Sequence, residues 1–133
     1  MRVLFLNVVD NRKPVHTRYY PLAFGYLVSY CNKHNEPFEH AYSENSNPSI
    51  LKSVRPDVVA MTCITENYNL AKHYAQISKH FSETIKIIIG GVHISAVPHS
   101  LTGDMDIGVK FETEETFLEL VKNDWSLTVT LKV

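Results

Sequence analysis

The stretch from Ile85 to Pro98 decides the fold and reads Ile-Lys-Ile-Ile-Ile-Gly-Gly-Val-His-Ile-Ser-Ala-Val-Pro. Its β-branched run is typical of a strand that is buried on both faces, and Gly90 and Gly91 end it where the backbone turns sharply or a ligand approaches closely. In an open α/β sheet, ligands bind at the carboxyl ends of the strands, so this pair falls where a ligand is expected. A tight strand-to-helix turn without a ligand is the alternative.

Strand and helix signals alternate along the rest of the chain. Apolar runs predict strands at residues 3–9, 36–43, 57–63, 85–90 and 106–111, and helical signals predict helices at residues 21–34, 47–54, 67–81 and 113–122. Strands that alternate with helices join through right-handed crossovers into a parallel sheet. The sequence therefore predicts an α/β fold of the Rossmann-like, flavodoxin-like type. We expect a three-layer sandwich around a five-stranded parallel sheet with the order 2-1-3-4-5, in which residues 36–43 form an edge strand.

Two segments depart from this alternation. The first helix is apolar nearly all round, which predicts that its outer face is covered by another surface. Residues 125–133 alternate apolar and polar side chains, as half-buried strands do. We expect residues 1–124 to form one domain, and residues 125–133 to be an extra strand or the start of a linker. This last segment is also a candidate contact for a homodimer.

Composition limits the classes of function. A chain of 133 residues, 44% of them hydrophobic, is long enough for one well-formed core. The formal charge of −1 and the lack of a Lys/Arg cluster argue against nucleic acid as a partner. The apolar run Val3–Leu6 is too short for a secretory or transmembrane segment, so we expect no membrane partner. Two cysteines far apart in sequence predict reduced thiols and a cytoplasmic protein.

Four motifs in a fixed order carry a family resemblance. They are Pro21-Leu22-Ala23-Phe24-Gly25-Tyr26-Leu27; Arg55-Pro56-Asp57-Val58-Val59 leading to Thr62 and Thr65; Ile89-Gly90-Gly91-Val92-His93 with Pro98; and Asp106-Ile107-Gly108-Val109 followed by Glu112-Thr113-Glu114-Glu115-Thr116-Phe117. Together they resemble the cobalamin-binding N-terminal domain of the cobalamin-dependent radical S-adenosylmethionine (radical SAM) enzymes, over roughly residues 1–122. The resemblance implies a Rossmann-like domain that holds cobalamin across the carboxyl ends of the strands, in front of a barrel that carries an iron-sulfur cluster.

The candidate cofactor-binding residues follow the ends of the predicted strands. They are Thr62, Thr65, Gly90, Gly91, His93, Ser95 and Glu112. The glycine pair offers backbone without side chains to the nucleotide tail of cobalamin, and the hydroxyl groups offer hydrogen-bond donors. Capping of the next helix is the alternative for these hydroxyls, and a hydrogen bond within its own loop is the alternative for His93. Glu112 keeps its place in the Gly-Glu-Gly-Glu pattern of the family, although both glycines of that pattern are replaced here.

His16 is the candidate cobalt ligand. Cobalamin carrier proteins share the motifs Asp-x-His-x-x-Gly, Ser-x-Leu and Gly-Gly. In this chain, Thr62-Cys63-Ile64 stands at the position of the Ser-x-Leu motif. The corresponding spacing makes Pro14-Val15-His16-Thr17-Arg18-Tyr19 the counterpart of the first motif, of which only the histidine persists. The Asp that would orient its imidazole is absent, and a solvated loop histidine is the alternative. Tyr19 and Tyr20 are expected either to cover the lower corrin face or to act as core staples.

No catalytic motif is present in the sequence. A radical SAM cluster needs three closely spaced cysteines, and the chain has two. Phosphate-binding glycine motifs and zinc-site spacings are also lacking. We therefore expect a cobalamin-binding module that presents the corrin to a radical SAM domain in cis or in trans. That partner domain would carry the iron-sulfur cluster and S-adenosylmethionine. A cofactor-free protein-interaction module with the same fold is the alternative.

Overall fold

The computed structural model describes residues 1–9, 22–63, 67–90, 103–109, 114–123 and 131–132. The strands are β1 (Arg2–Asn7), β2 (Glu39–Ser43), β3 (Val58–Thr62), β4 (Lys86–Gly90), β5 (Ile107–Val109) and β6 (Leu131–Lys132). The helices are α1 (Leu22–Lys33), α2 (Pro48–Val54), α3 (Tyr68–Phe81) and α4 (Glu114–Lys122). Every predicted strand and helix forms, with small shifts at the ends.

The sheet is parallel throughout, with the strand order β2-β1-β3-β4-β5-β6. This order confirms the predicted order 2-1-3-4-5 and the position of β2 at an edge. The short strand β6 extends the sheet, with Leu131 beside Gly108 and Lys132 beside Val109. Two residues of the alternating tail therefore pair within their own chain. The boundary at residue 124 and a homodimer contact through residues 125–133 stay predictions.

Two hydrophobic cores lie on the two faces of the sheet. Alternation along β1 places Leu4 and Leu6 in the core beneath α2 and α3, and it places Val3 and Phe5 in the core beneath α1 and α4. All four side chains are fully buried. The runs of apolar residues in the sequence exist because the central strands are covered by helices on both faces. The three-layer sandwich is confirmed.

Phe5 holds α1 and α4 against the sheet. Its ring centroid lies 4.7 Å from that of Phe24 on α1 and 6.0 Å from that of Phe117 on α4, in stacked geometry. The opposite side of α1 is open, because the side chain of Tyr26 is 61% exposed. The predicted covering of this face by another domain stays a prediction.

Polar contacts join strands at the amino-terminal edge of the sheet. The Arg2 backbone N–H donates to the Asp57 carboxylate over 2.8 Å, and the Asp57 N–H donates back to the Arg2 carbonyl over 2.8 Å. The Arg2 guanidinium pairs with Glu39 over 2.8 Å. Charged side chains thus link the start of β1 to the starts of both neighbouring strands. This leaves the opposite edge, where the glycine-containing strand ends, as the place to look for a site.

Candidate functional site

Small and short residues end the three central strands at the carboxyl edge of the sheet. Asn7 ends β1, Thr62 ends β3 and Gly90 ends β4. The register places Asn7 beside Thr62 and Thr62 beside Gly90. Because neighbouring strands lie about 4.8 Å apart, the three residues form a continuous row across the middle of the sheet.

The row faces the layer formed by α1 and α4. In β3 and β4, Ala60 and Ile88 belong to the core beneath these helices. Since side chains alternate along a strand, Thr62 and Gly90 lie on the same face as Ala60 and Ile88. Asn7 also belongs to this face, because its Nδ2 donates to the Tyr42 hydroxyl, which packs against the same core, over 3.4 Å. The row therefore lies at the carboxyl end of the space between the sheet and the two helices.

Tyr42 adds a polar group on the edge strand β2, where its hydroxyl accepts the hydrogen bond from Asn7. Burial raises the pKa of Tyr42, the hydrogen bond from Asn7 lowers it, and the negative charge of Glu44 raises it. The phenol is therefore neutral at physiological pH and has both a donor and an acceptor.

The backbone around the row is fixed by hydrogen bonds beyond the strand ends. The Val8 N–H donates to the Thr62 carbonyl over 3.2 Å, which continues the ladder between β1 and β3. The Val8 carbonyl accepts a hydrogen bond of 3.1 Å from Nδ2 of Asn67, a buried residue at the start of α3. This contact ties the beginning of α3 to the end of β1, so the row is built on rigid elements.

The two thiols are structural side chains. Burial raises the pKa of Cys63, which directly follows Thr62, to about 12. Burial, together with the charge of Glu36, raises the pKa of Cys31 to about 11. Both thiols are free, and they lie in the cores on opposite faces of the sheet. They are therefore protonated at neutral pH and are poor metal ligands or nucleophiles.

The structure brings together two of the predicted site residues, Thr62 and Gly90. The other predicted site residues lie outside the described residues, and their roles stay predictions. They are His16, Tyr19, Tyr20, Thr65, Gly91, His93, Ser95 and Glu112.

Sequence reasoning did not select Asn7 as a site residue. Its signal was present, because Asn7 is the single polar residue in the apolar run from Val3 to Val9. No feature of the sequence indicated that Tyr42 and Glu44 lie at the same edge of the sheet as Asn7. Their position there depends on the register that places β2 beside β1.

In the described ranges, no three His, Cys, Asp or Glu side chains come together as ligands for a metal ion. Among the helices that the structure describes, none is long and apolar enough to cross a membrane.

Comparison with known protein families identifies the domain. The family described as "B12 binding domain" matches residues 15–121 of the chain. The chain belongs to the B12-binding domain family. This match includes Thr62 and Gly90 of the row, all of α1, and α4 up to its penultimate residue.

Two relatives extend the description of this B12-binding domain. It is 30% identical over 109 residues to an uncharacterized methyltransferase of Pyrococcus horikoshii, in an alignment that covers 76% of this chain and 24% of the relative. The chain thus spans about a quarter of the length of that methyltransferase. The crystal structure of the N-terminal domain of a hypothetical protein from Thermotoga maritima superposes with a TM-score of 0.61. That match has 16% identity and covers 93% of this chain and 96% of the other, and it shows a shared fold.

Proposed function

We propose that this chain binds cobalamin at the carboxyl edge of its sheet and presents the corrin to a separate radical SAM domain. The observation that carries the proposal is the row of Asn7, Thr62 and Gly90 in a member of the B12-binding domain family. The row lies at the strand ends, which is where an open α/β sheet binds its ligands. Cobalamin would supply the chemistry at its cobalt, and the chain would bind and orient it.

The side chains of the row fit the nucleotide tail of cobalamin. Gly90 has no side chain, so the end of β4 accepts close approach of a ligand. Thr62 carries a hydroxyl and is partly accessible, and the buried Asn7, whose amide donates to Tyr42, lies beside it on the same face. A phosphate and a base at this place would find hydrogen-bond donors beside an apolar core. The predicted contacts of Thr65, Gly91, His93 and Ser95 would extend the same edge.

The partner domain is inferred from length and resemblance. The curated relative is a methyltransferase that is about four times as long as the part aligned with this chain, which covers 24% of it. The sequence motifs resemble those of radical SAM enzymes, which supports a cluster-bearing domain as the partner. The exposed Tyr26 on α1 is a residue that such a domain would cover. The chain would then act in the cytoplasm as the non-catalytic, cofactor-presenting part of a radical SAM methyltransferase or a related enzyme.

Visible absorption titration with hydroxocobalamin tests the proposal. The wild-type chain is expected to give a saturable spectral change, and Gly90→Trp is expected to weaken binding at least roughly tenfold, because the indole fills the place of the ligand. Gly103→Trp is the matched control. Gly103 lies in the turn before β5, and a Cβ added there meets no atom within 4 Å.

The two glycine variants separate a specific site from general binding. Equal affinity in wild type, Gly90→Trp and Gly103→Trp would remove Gly90 from the site. Absence of any spectral change at high micromolar hydroxocobalamin would refute cobalamin binding by this chain and favour the cofactor-free interaction module. Thermal melting of each variant shows whether a lost signal reflects lost folding.

A further inference from the structure

Glu44 directly follows β2 at the same carboxyl edge of the sheet as the row. It comes one residue after Ser43, which the register pairs with Leu6 of β1, the residue before Asn7. The negative charge of Glu44 raises the pKa of Tyr42, whose hydroxyl receives the Asn7 hydrogen bond. Glu44 therefore belongs to the same edge of the sheet as the row of Asn7, Thr62 and Gly90.

One carboxylate oxygen of Glu44 is buried. Within the ranges that the structure describes, no donor reaches its Oε2. A buried acceptor without a donor is unfavourable, and it is more so when the acceptor is charged. Native structures keep such groups chiefly where something else completes them, such as a ligand, an ion or a water molecule.

The local turn does not need the Glu44 carboxylate. The Ser43 hydroxyl donates to the Asn45 carbonyl over 2.8 Å and accepts from the Asn45 N–H over 3.1 Å, which closes the turn around Glu44. The Ser46 hydroxyl donates to the Tyr74 carbonyl over 3.1 Å and anchors the turn to α3. The neighbours of Glu44 thus hold the backbone of the turn, and the Glu44 carboxylate takes no part in closing it.

We propose that Glu44 accepts a hydrogen bond from a side-chain amide at the rim of the corrin and selects corrinoids that carry an amide there. This inference rests on the proposed function. The rim of cobalamin bears several primary amides, and an amide N–H is the donor that a buried carboxylate oxygen lacks. A corrinoid with a carboxylate at the same position would bring two negative charges together, so the site would reject it.

Titration with paired corrinoids tests this selection. The probes are hydroxocobalamin and its monocarboxylic acid isomers, in each of which one rim amide is hydrolysed. The wild-type chain is expected to bind at least one isomer about tenfold more weakly than hydroxocobalamin, because a charge-assisted hydrogen bond is replaced by repulsion. Glu44→Gln is expected to reduce that preference to within about threefold, because a Gln amide can donate to a carboxylate as well as accept from an amide.

Glu83→Gln is the matched control, because it makes the same change at an exposed residue between α3 and β4, on the amino-terminal side of the sheet. It is expected to keep the wild-type preference. Thermal melting without cofactor gives a second measurement. Glu44→Gln is expected to melt at or above the wild-type temperature, because it removes charge from a buried acceptor without a donor. A clear loss of stability would instead assign Glu44 a structural role and overturn the inference.

The outcomes distinguish this inference from the proposed function. If hydroxocobalamin binds and every monocarboxylic isomer binds equally well, or if Glu44→Gln keeps the wild-type preference, the selection by Glu44 is wrong and cobalamin binding stands. If no corrinoid changes the spectrum of the wild-type chain, both proposals fail. A preference that Glu44→Gln removes and Glu83→Gln keeps would establish Glu44 as a residue that determines specificity.

Discussion

The two edges of the same parallel sheet are built from different chemistry. At the amino-terminal edge, charged side chains bind to backbone groups and to each other, as Arg2 does with Asp57 and Glu39. At the carboxyl edge, the central strands end in Asn7, Thr62 and Gly90, and nearby lies a buried carboxylate oxygen of Glu44 to which no described residue donates. The first edge holds strands together through charged side chains, whereas the central strands at the second edge end in short uncharged residues, at the place where an open α/β sheet binds its ligands. Substitutions at the two edges should therefore affect different measurements.

Asp106 is the strongest test at the amino-terminal edge. Its carboxylate accepts from the Ile87 N–H over 2.7 Å and pairs with the Lys79 ammonium over 2.8 Å. Both side chains of the ion pair are mostly buried, with 20% exposure for Lys79 and 27% for Asp106. Asp106→Ala is expected to lower the free energy of unfolding by roughly 2 kcal/mol, because it removes the acceptor of the Ile87 N–H and the ion pair of Lys79, whose ammonium keeps only its hydrogen bond to the Ile85 carbonyl. Chemical denaturation measures this change.

Asp104→Ala is the matched control for Asp106→Ala. Asp104 lies in the same segment before β5, and in the described part of the chain no hydrogen bond or ion pair of its carboxylate is found. Its removal is expected to change the free energy of unfolding by less than about 0.5 kcal/mol. Folded Asp106→Ala should bind hydroxocobalamin with wild-type affinity. A loss of affinity in the folded variant would mean that the two edges are not independent.

Thr62→Val tests the carboxyl edge, where a substitution is expected to change the affinity for the cofactor and to leave stability nearly unchanged. The substitution keeps the shape and the preference for a strand while it removes the hydroxyl, so the free energy of unfolding is expected to change by less than about 0.5 kcal/mol. The dissociation constant for hydroxocobalamin is expected to rise roughly tenfold, because one hydrogen bond to the cofactor is lost. Absorption titration and denaturation of the same preparation measure both quantities. Unchanged affinity would show that the Thr62 hydroxyl does not touch the cofactor.

The difference between the edges also explains what the sequence could predict. Buried strands between helices have apolar runs, so the order of elements and the two-sided covering of the sheet follow from patterns along the chain. Gly90 and Thr62 were predictable because each ends such a run. Glu44 and Tyr42 were not, because they join the site only through the register of β2 with β1, and a register between distant segments leaves no local signal.

The contacts of the amino-terminal edge were equally hidden in the sequence. Arg2 and Asp57 are far apart along the chain and look like ordinary surface charges until β1 and β3 pair. The same holds for Lys79 and Asp106, which meet across the starts of β4 and β5. Charges at the ends of strands have no periodicity, so only the folded sheet shows which of them form pairs.

The smallest expected effect concerns two residues at the amino-terminal edge with left-handed backbone. Arg55, which ends α2, has φ of 51° and an exposed side chain, and its N–H donates to the Leu51 carbonyl over 2.8 Å. Glycine adopts this conformation without steric cost, so Arg55→Gly is expected to raise the free energy of unfolding by about 0.5 kcal/mol, the relief of strain being partly offset by the greater entropy of the unfolded chain.

Asn35→Gly makes the same change between α1 and β2, where φ is 59°. Asn35→Gly is expected to raise the free energy of unfolding by less than Arg55→Gly does, because asparagine already tolerates left-handed backbone. Neither variant should alter the affinity for hydroxocobalamin. Denaturation curves for the two variants rank the strain at the two helix ends. If Arg55→Gly destabilised the chain, the Arg55 side chain would have to be counted among the charges that hold the amino-terminal edge, and the contrast between the edges would become sharper.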